Sequence, residues 1–219
     1  MVSRLSIPII ADGDTGYGDL HNVQYTIEVF ESVGAAGIIL EDQVTPKRCG
    51  HFEEKEVISP EEMELKIKAA LSARSDPDFV IIARTDARQV TGLDDAIDRV
   101  NRYCDAGADL AFLEAPESVQ ELKEIPGRVR YPLLVNMLTG GVTPILSVRE
   151  LEQLNYKITV CPIDSLMVTG GTMRKLCETL VNEGRVDQIE ADTMSFTELK
   201  NLLDLDRHLS LRESLLKGP

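Results

Sequence analysis

Val33-Gly34-Ala35-Ala36-Gly37-Ile38-Ile39-Leu40-Glu41 decides the fold. It reads as a helix end, a tight turn and a short apolar strand closing on glutamate. The same order returns in Ala106-Gly107-Ala108-Asp109-Leu110-Ala111-Phe112-Leu113-Glu114. An apolar run without alternation is a strand buried on both faces, the kind that parallel sheets use. Working outward, further apolar runs lie at residues 7–11, 79–83, 131–135 and 158–161. Helical patterns fall between them. Asn22 is placed to cap a helix whose Val23, Ile27 and Phe30 share one face. Ser59-Pro60-Glu61-Glu62 opens another, with Met63, Ile67, Ala70 and Leu71 as its apolar stripe. Leu93, Ala96, Ile97 and Val100 mark a third, closed by Gly107. Ser147, with Glu150 three residues on, starts a helix in which Leu151 and Leu154 face inward. Residues 172–183 carry Met173, Leu176 and Leu180 at helical spacing, and residues 195–216 form a leucine-rich helix or helix pair. Strands alternating with amphipathic helices predict βαβ units and a parallel sheet.

The chain has 219 residues, 43% of them hydrophobic and 27% charged, which suits one soluble enzyme-sized domain with a sizeable core. A net charge of -14 argues against nucleic acid or an anionic membrane as a partner. It also means that an anionic substrate needs a local cationic or metal-bearing pocket. The four cysteines, Cys49, Cys104, Cys161 and Cys177, form no C-x-x-C pair, and a reducing, cytoplasmic setting fits them. Cys104, Cys161 and Cys177 lie in helix or strand patterns and are expected to be small buried hydrophobes. No apolar run reaches membrane-spanning length, and no signal peptide is visible.

The informative feature is where the polar residues fall. Asp12, Asp14, Glu41, Asp42, Arg84, Asp86, Glu114 and Asn136 sit at or just after the C-terminal ends of apolar strands. In a (β/α)8 barrel that end is where active sites are assembled. Each residue alone reads as a helix cap or salt-bridge partner, but no capping need selects this mixture of acid, arginine and amide. Asp12-Gly13-Asp14 puts two carboxylates on one loop, as hard divalent cations prefer; alone it also reads as a turn rich in Asp and Gly. Arg84 offers a planar fork matched to a carboxylate. Lys47-Arg48-Cys49-Gly50-His51 places a thiol between two cations and an imidazole, and neighbouring positive charge favours the reactive thiolate. By itself this segment also reads as a solvated basic loop.

Asp12-Gly13-Asp14-Thr15-Gly16-Tyr17-Gly18, Glu41-Asp42-Gln43, Lys47-Arg48-Cys49-Gly50-His51, Ala83-Arg84-Thr85-Asp86-Ala87 and Asn136-Met137 occur in that order. Together they resemble the isocitrate lyase/phosphoenolpyruvate mutase superfamily, and most its short methylisocitrate lyase-like and dimethylmalate lyase-like members. The resemblance runs from about residue 7 to residue 180. It implies a (β/α)8 TIM-barrel-type α/β fold, with residues 1–190 as a partial barrel catalytic domain and residues 191–219 as a C-terminal helical tail. It implies Mg2+ or Mn2+ held by Asp12 and Asp14, with Glu41 as a water-mediated ligand. Arg84, Glu114, Asn136 and Gly50 match substrate-binding positions, and Lys47 and His51 match the loop that folds over a small-molecule carboxylate. Cys49 would protonate the carbanion left by retro-aldol cleavage, work suited to a thiol with pKa near ambient pH. A homo-oligomer is implied for the tail.

The sequence also departs from the family. It is expected to lack the first two βα units, since six strands are counted where a closed barrel has eight. On that expectation the chain has little activity alone. Met167 stands where methylisocitrate lyases carry an arginine, which favours short dicarboxylates over tricarboxylates. Pro162 falls where the oxaloacetate-hydrolase branch usually has serine. Oxaloacetate hydrolysis, mutase-type activity and a non-catalytic relative are the alternatives to a lyase.

Overall fold

The computed structural model describes residue 2, residues 5–52 and residues 54–217. The chain divides into two compact units, Met1–Pro162 and Ile163–Pro219. In the first unit strands and helices alternate as β1 (Ile10–Asp12), α1 (Leu20–Ser32), β2 (Gly37–Glu41), α2 (Pro60–Ala73), β3 (Val80–Thr85), α3 (Leu93–Asp105), β4 (Leu110–Leu113), α4 (Val119–Arg128), β5 (Leu133–Asn136), α5 (Val148–Gln153) and β6 (Tyr156–Val160). The six strands form one sheet in sequence order, and every neighbouring pair is parallel. Each helix between two strands returns the chain for the next parallel strand.

Alternation along the strands sorts the side chains into two rows. Ile38, Leu40, Ile81, Ala83, Ala111, Leu113, Leu133 and Val135 join the main core with Met63 and Ile67 of α2, Val100 of α3 and Leu122 and Ile125 of α4. Burying each of the Ile, Leu, Val and Met side chains among them contributes roughly 1.5–3 kcal/mol. The intervening residues Ile82, Phe112 and Leu134 form a second cluster with Ile39, Val80, Leu110, Ile158 and Val160, all of them, among the described residues, from strands. The sheet is therefore apolar on both faces, as the unbroken hydrophobic runs predict.

Local signals account for most helix starts. Ser59, Ser118 and Ser147 cap α2, α4 and α5, and Pro60 occupies the first position of α2. Asn22 is not the cap of α1. The helix begins earlier, at Asp19, whose carboxylate accepts the Leu20 N–H at 2.8 Å, while the Asn22 side chain accepts the Asp19 N–H at 3.2 Å. Helix α4, which contains Pro126 and buries Leu122 and Ile125 on one face, is an addition to the sequence reading.

The second unit comprises α6 (Asp164–Glu183), a short 3-10 turn, α7 (Phe196–Leu202) and α8 (Leu205–Lys217). Helix α6 begins well before residue 172, and Met173 and Leu180 are exposed on it. The tail is a helix pair, with Leu202, Leu203, Leu209 and Leu211 exposed. Cys104 is buried as expected, but Cys161 and Cys177 are exposed. Cys161 follows β6, a strand with one sheet neighbour, and α6 has no buried residue to shelter Cys177. Among the described residues, no helix is long and apolar enough to cross a membrane.

Candidate active site

The second row of the sheet continues past its apolar segment into polar residues. From Ile39 it reaches Glu41, from Ile82 Arg84, from Phe112 Glu114 and from Leu134 Asn136. Register then sets neighbours side by side: Glu41 pairs with Arg84, and Arg84 with Phe112. Arg84 Nε is 3.4 Å from Glu41 Oε2, its Nη1 is 3.7 Å from Glu114 Oε2, and its guanidinium lies 5.1 Å from the centroid of the Phe112 ring. Asp86 grips the same guanidinium through two bonds, at 2.8 and 3.0 Å. Burial opposes the Arg84 charge, but Glu114 and Asp86 overcome it and raise its pKa. Burial likewise pushes Asp86 up, and Arg84 more than reverses this, so its carboxyl is held below its ordinary value.

Asn136 Nδ2 donates to Glu114 Oε1 at 3.1 Å. His51 Nε2 lies 2.9 Å from the same oxygen, and both side chains are buried. His51 Nδ1 accepts the Val142 N–H at 3.1 Å, so the ring proton of the neutral imidazole sits on Nε2, facing Glu114. Gly141 makes that approach possible, because a Cβ there would meet His51 Nδ1 at 2.7 Å. Gly50 is equally constrained, since its Cβ would fall 2.4 Å from Arg84 Nη2 and 2.6 Å from Glu114 Cγ.

A second cluster adjoins the first through Glu41. Asp14 holds a left-handed φ of 47°, and its N–H bonds Asp12 Oδ1 at 2.9 Å. Backbone bonds from Gly13 N–H to Ile39 O (2.8 Å) and from Glu41 N–H to Asp14 O (2.9 Å) pin this turn against β2. Lys66, a buried residue of α2, ties the turn further by donating to Thr15 O at 2.9 Å. The Lys47 ammonium stands among the acids, 2.5 Å from Asp14 Oδ1, 3.7 Å from Glu41 Oε1 and 3.9 Å from Asp12 Oδ2. Three carboxylates thus converge on one cation.

Four buried oxygens here, both of Glu41, Glu114 Oε2 and Asn136 Oδ1, have no hydrogen-bond partner among the described residues. Buried acceptors are normally satisfied, so this concentration of unsatisfied ones marks a place for a donor or cation. Burial pushes the Glu41 carboxyl up to about 7, against the pull of Arg84 and Lys47. The donor set, three hard carboxylate oxygens around a positive centre, fits Mg2+ or Mn2+ in kind. Among the described residues no group of three or more His, Cys, Asp or Glu is gathered as a metal site, and the acids here lie around Lys47.

Asp12, Asp14, Glu41 and Lys47 therefore meet in one cluster, and Gly50, His51, Arg84, Glu114 and Asn136 in the adjoining one. Cys49 is exposed between Lys47, which reaches the acids, and Gly50, which presses on Arg84. Arg48 turns away to Glu54 at 2.7 Å, and the Gln43 amide clamps Arg48 through its backbone N–H and carbonyl, both at 2.9 Å. Two supports stand outside the roles assigned from sequence, one of them, Asp42, named there only as a strand-end acid. Asp42 belongs to the helix-side row, where it accepts from Thr85 Oγ1 (2.6 Å), Tyr103 Oη (2.7 Å), Asp86 N–H (2.9 Å) and Arg99 Nη1 (3.3 Å). Strand alternation from Leu40 to Asp42 was the signal available for it. Lys55 is the other, and nothing local in the sequence distinguishes it.

The family model for phosphoenolpyruvate phosphomutase matches residues 1–181. The chain is 43% identical to 2,3-dimethylmalate lyase of Eubacterium barkeri, over all of this chain and 75% of that enzyme. It is 40% identical to a 2-methylisocitrate lyase of Aeropyrum pernix, over 90% of this chain and 63% of the relative, so it spans less than two thirds of that protein. A solved structure of oxaloacetate acetylhydrolase, in complex with the inhibitor 3,3-difluorooxalacetate, superposes with a TM-score of 0.87 at 32% identity, covering 94% of this chain and 70% of that one.

Proposed function

The chain belongs to the phosphoenolpyruvate mutase/isocitrate lyase superfamily, and from that premise we propose that it is a carbon–carbon lyase, dependent on Mg2+ or Mn2+, that splits a short 2-hydroxy dicarboxylate by retro-aldol cleavage. Its six parallel strands in sequence order are read as part of a (β/α)8 barrel, with the polar strand ends as the barrel's catalytic mouth. The observation that carries the reading is the convergence of Asp12, Asp14 and Glu41 on a single cation, with both oxygens of buried Glu41 lacking a donor.

Asp12, Asp14 and Glu41 would hold the metal, which supplies Lewis acidity at the oxygen on C2 of the substrate. Arg84 presents a guanidinium already aligned by Asp86 and Phe112, ready to bind a carboxylate. Gly50 packs against Arg84 and Glu114, and Asn136 donates to Glu114. Glu114 is oriented by the Asn136 amide, His51 Nε2 lies 2.9 Å from the same carboxylate, and the Val142 N–H holds His51 in one tautomer. In the cleavage a general base removes the C2 hydroxyl proton, and the C2–C3 bond breaks with its electron pair moving to C3. Cys49 then transfers its thiol proton to C3, releasing a 2-oxo acid and a second carboxylic acid. Lys47 and Gly50 bracket Cys49 between the acid cluster and Arg84, which supports delivery of that proton at this site. Met167, in place of an arginine, supports a short dicarboxylate. The exposed leucines of α7 and α8 support homo-oligomer formation.

Hydrolysis of oxaloacetate is the second reading, supported by the structural likeness to oxaloacetate acetylhydrolase. The test is release of a 2-oxo acid from substituted malates with Mg2+, run beside oxalate release from oxaloacetate. Cleavage of malates that Cys49→Ser abolishes, with Mg2+ binding by calorimetry unchanged, is expected. Unaltered turnover in that variant removes the proton-donor role, and oxalate production without malate cleavage selects the hydrolase.

A further inference from the structure

The loop from β2 to α2 contains a buried cation that the proposed chemistry leaves unused. The Lys55 side chain is 1% exposed, and its ammonium lies 3.3 Å from Asp86 Oδ1. It also donates to the Gly50 carbonyl oxygen through a short bond. Asp86 Oδ1 is the oxygen that receives Arg84 Nη2 at 3.0 Å. An unbroken path therefore runs from the Gly50 carbonyl through Lys55 and Asp86 to the Arg84 guanidinium.

Gly50 has no side chain with which to hold its seat, and its close fit against Arg84 and Glu114 allows none. Its carbonyl is the handle, and Lys55 is the group that takes it. A buried ammonium is costly unless fully engaged, and here both its partners belong to the seam between loop and sheet. Arg84 already pairs with Asp86 by a two-bond fork, so the distinguishing feature of Lys55 is its grip on the loop backbone.

We propose that Lys55 is a positioning residue that latches the Cys49-bearing loop to the arginine end of β3, by joining the Gly50 carbonyl to Asp86. The catalytic consequence rests on the lyase reading above, but the latch itself does not. When the latch is engaged, Cys49 is held between the acid cluster and Arg84; when it is released, the loop swings free of both.

Limited tryptic digestion of the folded protein reads this directly. Lys47 and Arg48 lie in the loop, while Arg130 and Arg185, both 60% exposed at the side chain, lie elsewhere and report general loosening. Lys55→Met should raise cleavage after Lys47 and Arg48 about tenfold relative to cleavage after Arg130 and Arg185. Lys55→Arg, which can still donate to both partners, should bring that ratio back within about twofold of wild type. An unchanged ratio in Lys55→Met overturns the latch, as does failure of Lys55→Arg to restore it. A measurement on unmutated protein covers the case in which Lys55→Met does not fold. Reductive methylation of native protein should label Lys47 and spare Lys55, and a tryptic cut after Arg48 should make Lys55 reactive. Labelling of Lys55 as fast as Lys47, or its continued protection after the cut, refutes the proposal. Neither measurement depends on turnover, so oxalate production without malate cleavage, which would defeat the lyase reading, would leave the latch standing.

Discussion

Glu41 is held at a folding cost, and replacing it by glutamine should reveal that cost as a stability gain confined to neutral and alkaline pH. The carboxyl is almost fully buried, and burial raises its pKa from 4.5 to about 7. A carboxyl raised on folding binds more protons in the native than in the unfolded state. Its contribution is therefore intact below about pH 4.5 and is lost as pH rises through about 7. At about 1.36 kcal/mol per pH unit between those limits, wild type should lose about 2.5 kcal/mol from this group between pH 5 and pH 8. Glu41→Gln does not ionise, and its difference from wild type cancels every other titration. Urea unfolding in EDTA at the two pH values is the assay. The variant should gain about 2.5 kcal/mol on wild type between pH 5 and pH 8, for a two-state transition followed by far-ultraviolet circular dichroism. A difference that stays constant within about 0.5 kcal/mol would refute the argument that this acid is buried without adequate donors. Mg2+ at pH 8 should stabilise wild type more than the variant, because a bound cation supplies what the unpartnered oxygens lack.

Asp42→Asn should act in the opposite direction and destabilise the protein by about 1–3 kcal/mol, since either amide orientation turns an N–H toward the Asp86 N–H or the Arg99 guanidinium; a neutral result in the same urea titration would contradict the four-donor geometry. Gly141→Ala should displace His51, because the added Cβ falls 2.7 Å from Nδ1. Imidazole 15N chemical shifts should show the Nε2–H tautomer of wild type giving way to a mixture, with activity falling about a hundredfold as the site loses its alignment; an unchanged spectrum would mean that Val142 does not set the tautomer.

These neighbouring acids show how far a sequence reaches. Glu41 and Asp42 are adjacent carboxylic acids at a strand end, and both are buried. Strand alternation separates them. It sends Glu41 to the row of Ile39, beside Arg84, Glu114 and Asn136, and Asp42 to the helix side, among Thr85, Arg99 and Tyr103. Period two was readable, so the face of each residue was readable too. The order and parallel pairing of the strands were likewise legible, because buried β runs spaced by amphipathic helices permit little else. What could not be read is who donates to whom across the loops. His51 takes its proton placement from the backbone of Val142, and Gly50 its seat from Lys55, so these bonds run through main-chain atoms that every residue type possesses. Lys47 beside Cys49 looked like a cation placed for the thiol, yet its flexible stem carries the charge to Asp14, where three carboxylates attract it more strongly than one sulfur. The sequence names the groups that need partners. Loop conformation chooses the partners, and at this site it chooses a backbone carbonyl and a backbone amide to hold the two loop residues that flank Arg84 and Glu114.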